Sequence, residues 1–515
     1  MQENKLEQAI LKVPLSTSLD KNLSQLKQIF EKCEDIVFHE TEIHHIKVCL
    51  VHLDKINKEK VIVEIEQVFS TYNREDFSLD SKNPITAFFE QRFPFRSVEK
   101  LTEINDVVEK VLDSEIVLFV DGLEKALLFQ TNDLTGRFVS EPSNEPTVRG
   151  PQVGFVEDIN MNLKLVRKII KTPSLKVEHL IVGKQTKTNI ALLYLKGITD
   201  ENIVKEVHKR ISQIQIDGVL DSQYLESMIQ DSRNSPFPTL FSTERPDRVS
   251  ASLLEGRVAI LTDGTPYALT APALFVEFLH SGDDFYNGSL VSTVVRWIRF
   301  LGFFITLILP AFFVAMTSFH QDLLQTPFLI RIASLREGLP YPVLVEAIFM
   351  LLTFELIREA GLRIPKTFGS AAITILGLVL ISQSAVQAGI IGPIMAIVVS
   401  VTALTSFILP NYSFHQIIRL CGLPLLLLAG LFGFMGIIVG LMFGLTHLVS
   451  LKSFGVPYFT PVSPAYRRGW KDVFIRAPLW AMETRPPGLG VNNPIRAGEN
   501  DVNDPNSEGD HGDKN

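Results

Sequence analysis

Two amide side chains stand at the end of an otherwise apolar stretch, LGLVLISQSAVQAG, which spans residues 376–389 and carries no charge. Polar groups in an apolar environment are costly unless water, an ion or another polar group satisfies them. In a helix with 100° per residue, Gln383 and Gln387 share one stripe with Leu376, Val379 and Leu380. This stripe is apolar over its first turns and carries amides over the next.

The order of the stripe is typical of a gated pore. In a symmetric ring of helices, the apolar turn would form a constriction that closes by dewetting, and neutral amides would replace part of an ion's hydration. The absence of acidic rings predicts weak ion selectivity. The alternative is that both amides bond to other helices in a packed bundle, which Ala385 and Ala388 would allow. Ser382 and Ser384 lie off the stripe and are expected to bond neighbouring helices.

Ionisable side chains interrupt a second apolar region, 330–366. Glu355 and Arg358 are helical neighbours three residues apart and are expected to pair. Glu346 lies about half a turn round the helix from Glu355, so it needs another partner. Ionisable groups inside a membrane are functional candidates by default, here for ion coupling in a transporter. The alternative is a structural ion pair.

Three glycines, Gly436, Gly440 and Gly444, stand four residues apart. This spacing lets transmembrane helices approach closely, and it predicts tight packing without identifying an activity. Upstream, Arg245, Asp247 and Arg257 lie among turn-forming residues directly before the apolar region. They are candidates for a surface that couples the N-terminal region to the membrane, or else for ordinary turn and ion-pair structure.

Metal binding and catalysis find little support. His39, His44, His45, Cys49 and His52 are close in sequence, but their positions along predicted strands make a poor chelate, so ordinary strand residues are the favoured interpretation. No phosphate-binding glycine loop, zinc-ligand spacing or nucleophile elbow is present. We therefore predict no enzyme activity, no bound metal and no cofactor. The net charge of −8 gives no general attraction to nucleic acid.

Elements of two kinds must position these residues. Up to about residue 290 the chain of 515 residues is mixed in charge, and from about 291 to 451 it is apolar. Runs of roughly 18 apolar residues predict membrane spans. Clear runs occur at 297–317, 369–389, 391–409 and 422–448, and a shorter, charged run at 342–358.

The ends of the apolar region are both expected in the cytoplasm. Arg296 and Arg299 precede the first run, Arg358 and Arg363 mark an inner loop, and several basic residues follow the last run. The first twenty residues lack a signal-peptide pattern, which agrees with a cytoplasmic N-terminal region. Two inner ends require an even number of crossings. We therefore expect four full crossings and an embedded or interfacial segment around 324–358, and we do not expect the 422–448 run to fold back on itself.

The N-terminal region reads as α/β with two similar lobes. Each half loosely repeats the pattern helix, strand, strand, helix. The predicted helices and strands are, in order, helix 20–32, strand 46–53, helix 98–112, strand 114–122, helix 157–171, strands 177–183 and 189–197, and helix 200–213. The predicted fold class is a cytoplasmic α/β N-terminal region of two lobes followed by an all-α polytopic transmembrane domain.

Four segments follow from this interpretation. A proline-rich linker at 141–151 separates a first lobe, 1–140, from a second lobe, 141–290. A transmembrane domain, 291–451, comes next, and a cytoplasmic segment, 452–515, ends in an acidic tail expected to be disordered from about residue 497.

Five strings in the chain resemble a known family. They are SPFPTLFSTERPD, EGRVAILTDGTPYALTAP, LREGLPYPVLVEAIFMLLTFELIREAGLRIPK, SQSAVQAGI and SFILPNY. Together they resemble the A subunits of GerA-type nutrient germinant receptors of endospore-forming bacteria, and the resemblance covers nearly the whole chain.

The resemblance implies a complex in the spore inner membrane. Its partners would be a permease-like B subunit that binds the nutrient and a lipoprotein C subunit. The A subunit would form a homo-oligomeric ring, proposed to be a pentamer, that conducts monovalent cations and releases potassium. With the resemblance, the pore becomes the favoured interpretation of the stripe. A non-conducting scaffold for the permease and a secondary transporter remain the alternatives.

Overall fold

The computed structural model describes residues 13–43, 46–54, 98–129, 141–363 and 370–496, except 143, 146 and 148. In its described residues, the first lobe contains two helices and five strands. They are α1 (Leu19–Ile29), β1 (Ile36–Ile43), β2 (Ile46–Leu53), β3 (Val98–Leu101), α2 (Ile104–Leu112), β4 (Ile116–Val120) and β5 (Ala126–Phe129). Both helices bury an apolar stripe, with Leu23 and Leu26 on α1 and Val107 and Val111 on α2, in one core with the sheet.

The second lobe contains four helices and five strands in its described residues. They are α3 (Ile159–Ile169), β6 (Leu175–Val182), β7 (Thr188–Leu195), α4 (Glu201–Ser212), α5 (Ser222–Ile229), β8 (Phe241–Thr243), α6 (Pro246–Leu254), β9 (Val258–Thr262) and β10 (Ala268–Ala271). Asp158, Asp200 and Asp221 cap α3, α4 and α5, each accepting a hydrogen bond from a backbone N–H of the first turn. These caps explain why the three helices begin where they do.

The two lobes share one strand order. The first sheet runs β1-β2-β4-β5-β3 and the second runs β6-β7-β9-β10-β8, with antiparallel pairing throughout. In each lobe a helix precedes the first strand pair and another precedes the second pair. This shared order of strands and helices agrees with the prediction of two similar lobes. One prediction fails in the first lobe, because 98–112 is strand β3 followed by α2 and is not a single helix.

A buried ion pair joins the lobes. Arg167 of α3 donates from Nε and Nη2 to the two carboxylate oxygens of Asp35, at 2.7 and 2.9 Å. The side chains are 1% and 6% exposed. Backbone hydrogen bonds between residues 32–34 and Val177 of β6 continue the contact.

Helices dominate the chain from residue 283 to 450. They are α7 (Asp283–Tyr286), α8 (Ser289–Ser318), α9 (Thr326–Arg336), α10 (Val343–Arg363), α11 (Ser370–Gln387), α12 (Pro393–Ser406) and α13 (Tyr412–Ser450). Two of the described helices, α8 and α13, have the length and hydropathy that a membrane crossing requires. The α11 and α12 helices are apolar but shorter.

The α13 helix folds back on itself at Gly433. This residue has φ +61° and ψ −141°, which lie outside the helical region. The arms before and after it, 412–432 and 434–450, run side by side, because Gly440 of the second arm packs against Leu425 of the first. The prediction of one unbroken crossing at 422–448 is therefore wrong. The chain reverses where only glycine adopts the backbone conformation without strain.

Six helical passes result, each running between the lobe side and a far end. The α8 helix begins beside Asp284 near the second lobe and ends at Ser318, and the ring of His320, two residues later, packs against Phe434 at the hairpin tip. The α10 helix then runs back to the lobe side, α11 runs to the far end, and α12 runs back to the lobe side. The two α13 arms add the last pair, and Phe414 and His447 at their ends contact the second lobe. In the described residues, six passes bring the chain back to the side where α8 begins, and the four membrane crossings expected from the sequence stay a prediction.

The segment after the bundle completes the second lobe. A two-stranded ribbon of β11 (Lys452–Ser453) and β12 (Val456–Pro457) is followed by α14 (Trp470–Val473). Phe454, Val456 and Leu489 lie in the same buried cluster as β7, β9 and α4 side chains. Residues 452–489 are thus part of the lobe 2 core in space, although they follow the bundle in sequence.

Candidate functional site

The α11 stripe predicted from the sequence is exposed in this chain. Leu376, Val379 and Leu380 are 60%, 51% and 62% exposed, and Gln383 and Gln387 are exposed as well. The helix lies at an edge of the bundle and packs against α10 and α12. An uncovered face of this kind is available to another subunit, to lipid or to a water-filled pore.

The opposite face of α11 fixes the helix in the bundle. Leu378, Ser382 and Ala385 are buried there. The Ser382 hydroxyl has no hydrogen-bond partner in the described residues, and Ser384 is exposed. The expectation that these two serines bond neighbouring helices is therefore wrong for this chain by itself. Both glutamines, likewise, face away from its own helices.

Glu355 is shared by two arginines. Its carboxylate accepts from Arg358 at 2.7 Å on the same helix, as the sequence predicted, and from Arg419 of α13 at 2.8 and 3.0 Å. The second contact ties α10 to the first arm of α13 at the lobe side. Sequence reasoning missed Arg419, because no local spacing connects positions 64 residues apart.

Glu346 has the separate partner that its position on α10 requires. It is fully buried, and its carboxylate pairs with Arg336 at 2.9 Å. The other oxygen accepts from the backbone N–H of Gly392 at 3.1 Å, where α12 begins. A carboxylate at a helix N-terminus is favoured by the helix dipole and by the unpaired N–H groups there. The alternative of a structural ion pair thus describes Glu346 in this structure.

The three spaced glycines differ in their surroundings. A Cβ at Gly436 would overlap the backbone carbonyl of Leu428 in the facing arm, and one at Gly440 would come within 2.7 Å of Leu425. Nothing lies within 4 Å of a Cβ at Gly444. Close packing therefore applies to the first two, and it acts inside one hairpin.

The proposed coupling residues form two separate groups. Arg245 precedes α6, which begins at Pro246, and pairs with Asp247 at 2.7 Å. Arg257 pairs instead with Glu255 and Glu277, and donates to the carbonyl of Pro272 at 2.9 Å. Arg245 and Arg257 are both buried, so the expected trio is not a single surface cluster.

A charge network that the sequence did not predict anchors the start of α8. Asp284 accepts from Arg299 at 2.6 Å and from Arg296 at 3.2 Å. Arg296 also pairs with Asp472 at 2.9 Å in the segment after the bundle. The two arginines stood out in the sequence only as flanking charges, and their joint burial near one aspartate is a tertiary property.

The histidine-rich strands hold no metal site in the described residues. His44 and His45 lie outside them, and no group of three or more His, Cys, Asp or Glu side chains there could hold a metal ion. Cys49 is fully buried on β2, and His39 is exposed on β1.

These features define a protein with a two-lobed α/β region, completed by its C-terminal segment, and an apolar helical bundle with one uncovered polar-apolar stripe. The profile described as "Bacillus/Clostridium GerA spore germination protein" matches residues 24–487. The chain belongs to this family of spore germination proteins.

Relatives of known name extend over almost the whole chain. "Spore germination protein KA" of Bacillus subtilis (strain 168) is 38% identical over 498 residues, 96% of this chain and 90% of that protein. "Spore germination protein B1" of the same strain is 38% identical over 476 residues, 92% and 97% of the two chains. "Spore germination protein GerLA" of Bacillus cereus is 39% identical over 389 residues, 76% and 79% of the two.

One solved structure is also similar. It is the N-terminal domain of the A subunit of the Bacillus megaterium spore germinant receptor GerK3, at 32% identity. The match covers 51% of this chain and 98% of that one, with a TM-score of 0.41.

Proposed function

We propose that this chain is the A subunit of a nutrient germinant receptor and forms an oligomeric, ligand-gated channel for monovalent cations. The germination role is supported by membership of the GerA family and by relatives named as spore germination proteins. The channel role is carried by one observation, the uncovered α11 stripe of Leu376, Val379, Leu380, Gln383 and Gln387.

The stripe supports a pore because one half is apolar and the other carries amides, at successive levels along the helix axis. In a closed ring of identical chains, α11 would place Val379 and its apolar neighbours around one level and the amides around the next. An apolar ring that is narrow enough expels water and stops ions, whereas amide rings tolerate them. The ring size is left open, with a pentamer as the expectation from the family resemblance.

The proposed setting is the spore inner membrane, with both lobes on the spore-core side. The exposed apolar surfaces of α8 and α13, which include Leu290, Phe432 and Phe443, support contact with lipid or with other subunits. The proposed partners are further copies of this chain, a permease-like B subunit and a lipoprotein C subunit. Nutrient binding by the B subunit would reach the α11 ring through these contacts.

The decisive experiment shortens the Val379 side chain, which is proposed to form the constriction. We expect Val379→Ala to raise potassium efflux at least several-fold without nutrient, because a wider and less apolar ring stays hydrated. The complex is co-expressed with its partners and reconstituted into potassium-loaded vesicles, and efflux is followed with a potassium-selective electrode.

Ile381→Ala is the matched control, since Ile381 is a partly exposed apolar residue of the same helix on the opposite side from the stripe. Efflux that stays at the wild-type level in Val379→Ala, in complexes of unchanged subunit stoichiometry, would refute the pore. A stoichiometry measurement that shows no closed homo-oligomer would refute it independently.

A non-conducting scaffold is the second candidate. In that case the glutamines of the stripe would bond to the permease-like partner, and reconstituted complexes would stay electrically silent while nutrient binding persisted. The transporter has no comparable support, because its candidate coupling residue, Glu346, is engaged by Arg336 and Gly392.

A further inference from the structure

A cavity of about 540 Å³ lies between the second lobe and the segment that follows the bundle. One wall comes from α6 and the turn at Phe275–Leu279, and another from α7. Residues of the 461–496 segment form the third wall. This volume falls in the range of sites that hold small organic ligands.

The inner wall carries the guanidinium of Arg248, whose charge interacts with the carboxylates of Glu145 and Asp247 without forming a close ion pair with either in the described residues. Arg248 of α6 lines the cavity and forms no ion pair within the described part of the chain. It donates to the backbone carbonyl of His280 at 3.2 Å, and its charged end lies 4.5 Å from the centre of the Phe241 ring. Burial lowers the pKa of Arg248 below its usual value, because the charged form lacks full hydration. Arginine nonetheless remains protonated at neutral pH.

Other cations in the lining are also without an acidic partner among the described residues. They are Arg468, Lys471, Arg485 and Arg496. Arg485 is buried and donates only to backbone carbonyls, at Leu254, Asn493 and Ile495. The pKa of Arg485 is lowered by burial and, to a smaller extent, by the nearby charge of Arg496. The two cations therefore repel each other across the wall.

Most of the acidic side chains in the lining are already engaged. Asp247 pairs with Arg245 and Asp472 with Arg296, while Glu255 and Glu277 share Arg257. Only Glu483 lacks an ion pair in the structure's described ranges. The lining as a whole holds six cationic and five acidic side chains, and two of the acidic ones are paired with Arg245 and Arg296 outside it, so the cavity holds an excess of positive charge.

We propose that this cavity binds a small anion bearing phosphate or carboxylate groups. Guanidinium groups match both chemistries through paired N–H donors, and a partly desolvated site strengthens the attraction.

Occupancy would add a further link among three parts of the chain that already contact one another, as in the hydrogen bond from Arg485 to Leu254 and the Arg296–Asp472 pair. The bound anion would contact α6, the region before α8 and the C-terminal segment together. This proposal is independent of the pore, because none of the cavity's lining residues belongs to α11.

The test uses the full chain in detergent with pyrophosphate as the phosphate probe and citrate as the carboxylate probe. Trp470 and Trp480 lie in the segment that forms one wall, so tryptophan fluorescence reports binding. Sodium chloride at matched ionic strength controls for screening. We expect a saturable change with at least one probe, and the probe that binds more tightly identifies the preferred group.

Arg248→Gln is expected to weaken binding at least ten-fold. Arg496→Gln, an exposed position at the rim, should weaken it about three-fold without any risk to the core. Arg233→Gln is the matched control, because Arg233 is exposed and does not line the cavity. Equal affinities in Arg248→Gln, Arg496→Gln and the wild type would overturn the proposal, as would a response that chloride reproduces.

A truncated variant that ends at Arg496 tests whether the acidic tail affects binding of the probes. The tail carries six acidic residues after Arg496 and one lysine. If the probes bind only to the shortened chain, the tail competes for the cavity and the proposal fails for the intact protein. Saturable binding to both chains supports it.

Discussion

Glu346 shows how one carboxylate fixes a junction between helices. It pairs with Arg336 and accepts from the N–H of Gly392, so it joins the end of α9, the first turn of α10 and the start of α12. A buried carboxylate with two partners loses less by burial than an isolated one. The Glu346 carboxylate therefore positions α12, which packs on the buried side of α11.

We expect Glu346→Ala to lower the free energy of unfolding by about 1–3 kcal/mol, because it leaves a buried N–H and a cation without their acceptor. Thermal unfolding of the purified complex measures the change. Glu359→Ala is the matched control on the same helix, since Glu359 and Arg363 form an exposed pair with side chains 56% and 79% exposed. Similar losses in the two variants would contradict the role assigned to Glu346.

At this scale the sequence predicted local relations and missed distant ones. The Glu355–Arg358 pair follows from helical spacing, and so does the common face of Val379 and Gln383. Arg419 reaches Glu355 from another helix, and Asp472 reaches Arg296 from beyond the bundle. Such partners depend on how the elements pack, which a single sequence does not encode at any fixed spacing.

The α13 hairpin is the element whose geometry differs most from its sequence prediction. Its arms are about 21 and 17 residues long, or roughly 31 and 25 Å at 1.5 Å per residue. The sequence argues against a fold-back because each half of the apolar run 422–448 is too short to span a membrane. The arms instead begin before and end after that run, at Tyr412 and Ser450. Polar residues such as His415 and His447 extend them beyond the purely apolar stretch.

We predict that Gly436→Ala destabilises the hairpin and that Gly444→Ala does not. The new methyl group at 436 would overlap backbone atoms of Leu428, whereas nothing lies within 4 Å at 444. The arms must separate, so the thermal midpoint of the complex should fall by several degrees. A fall of equal size in both variants would contradict the role of close approach at Gly436, because Ala has the higher helix propensity and would by itself stabilise both arms.

Element types were predicted better than element ends. The strands around 46–53, 189–197 and 114–122 appear with small shifts of their bounds, and α3 and α4 lie inside their predicted ranges. The error at 98–112 has a physical cause. Val98 and Leu101 belong to a strand that pairs with β5, and apolar residues at such short range fit helical and strand periodicity alike.

For the whole molecule, the relation between the two lobes depends on few strong contacts. The lobes repeat one strand order, and the contacts that join them include the buried Arg167–Asp35 pair, a short run of backbone hydrogen bonds and more exposed ion pairs such as Lys171–Asp113. Because Arg167 is almost entirely buried, its charge requires this partner.

We expect Asp35→Ala to cost about 3–5 kcal/mol, since it leaves the Arg167 guanidinium buried and unpaired. Asp113→Ala is the control across the same two lobes, because Asp113 pairs with Lys171 through side chains that are 40% and 56% exposed. Thermal unfolding gives the size of the effect, and faster amide hydrogen exchange at Val177 would locate it. Equal effects of the two changes would show that the buried pair does not hold the lobes together.

Neither the sequence pattern nor the structure of a single chain specifies how many copies assemble. The α11 stripe can be predicted from the sequence because its residues are close together along one helix. Its exposure agrees with a partner or a pore. The number of copies that would close around it depends on contacts between chains.

The ribbon at 452–457 has a consequence for the order in which the protein is made. Phe454, Val456 and Leu489 fill the core of a lobe whose other members end at Leu274. A ribosome therefore delivers the last pieces of that core only after all six helical passes have been synthesised. Until then a nascent chain carries an open apolar patch on its second lobe. Synthesis of the bundle and closure of the lobe are thus consecutive steps, and a chain that stops within the bundle cannot complete the lobe.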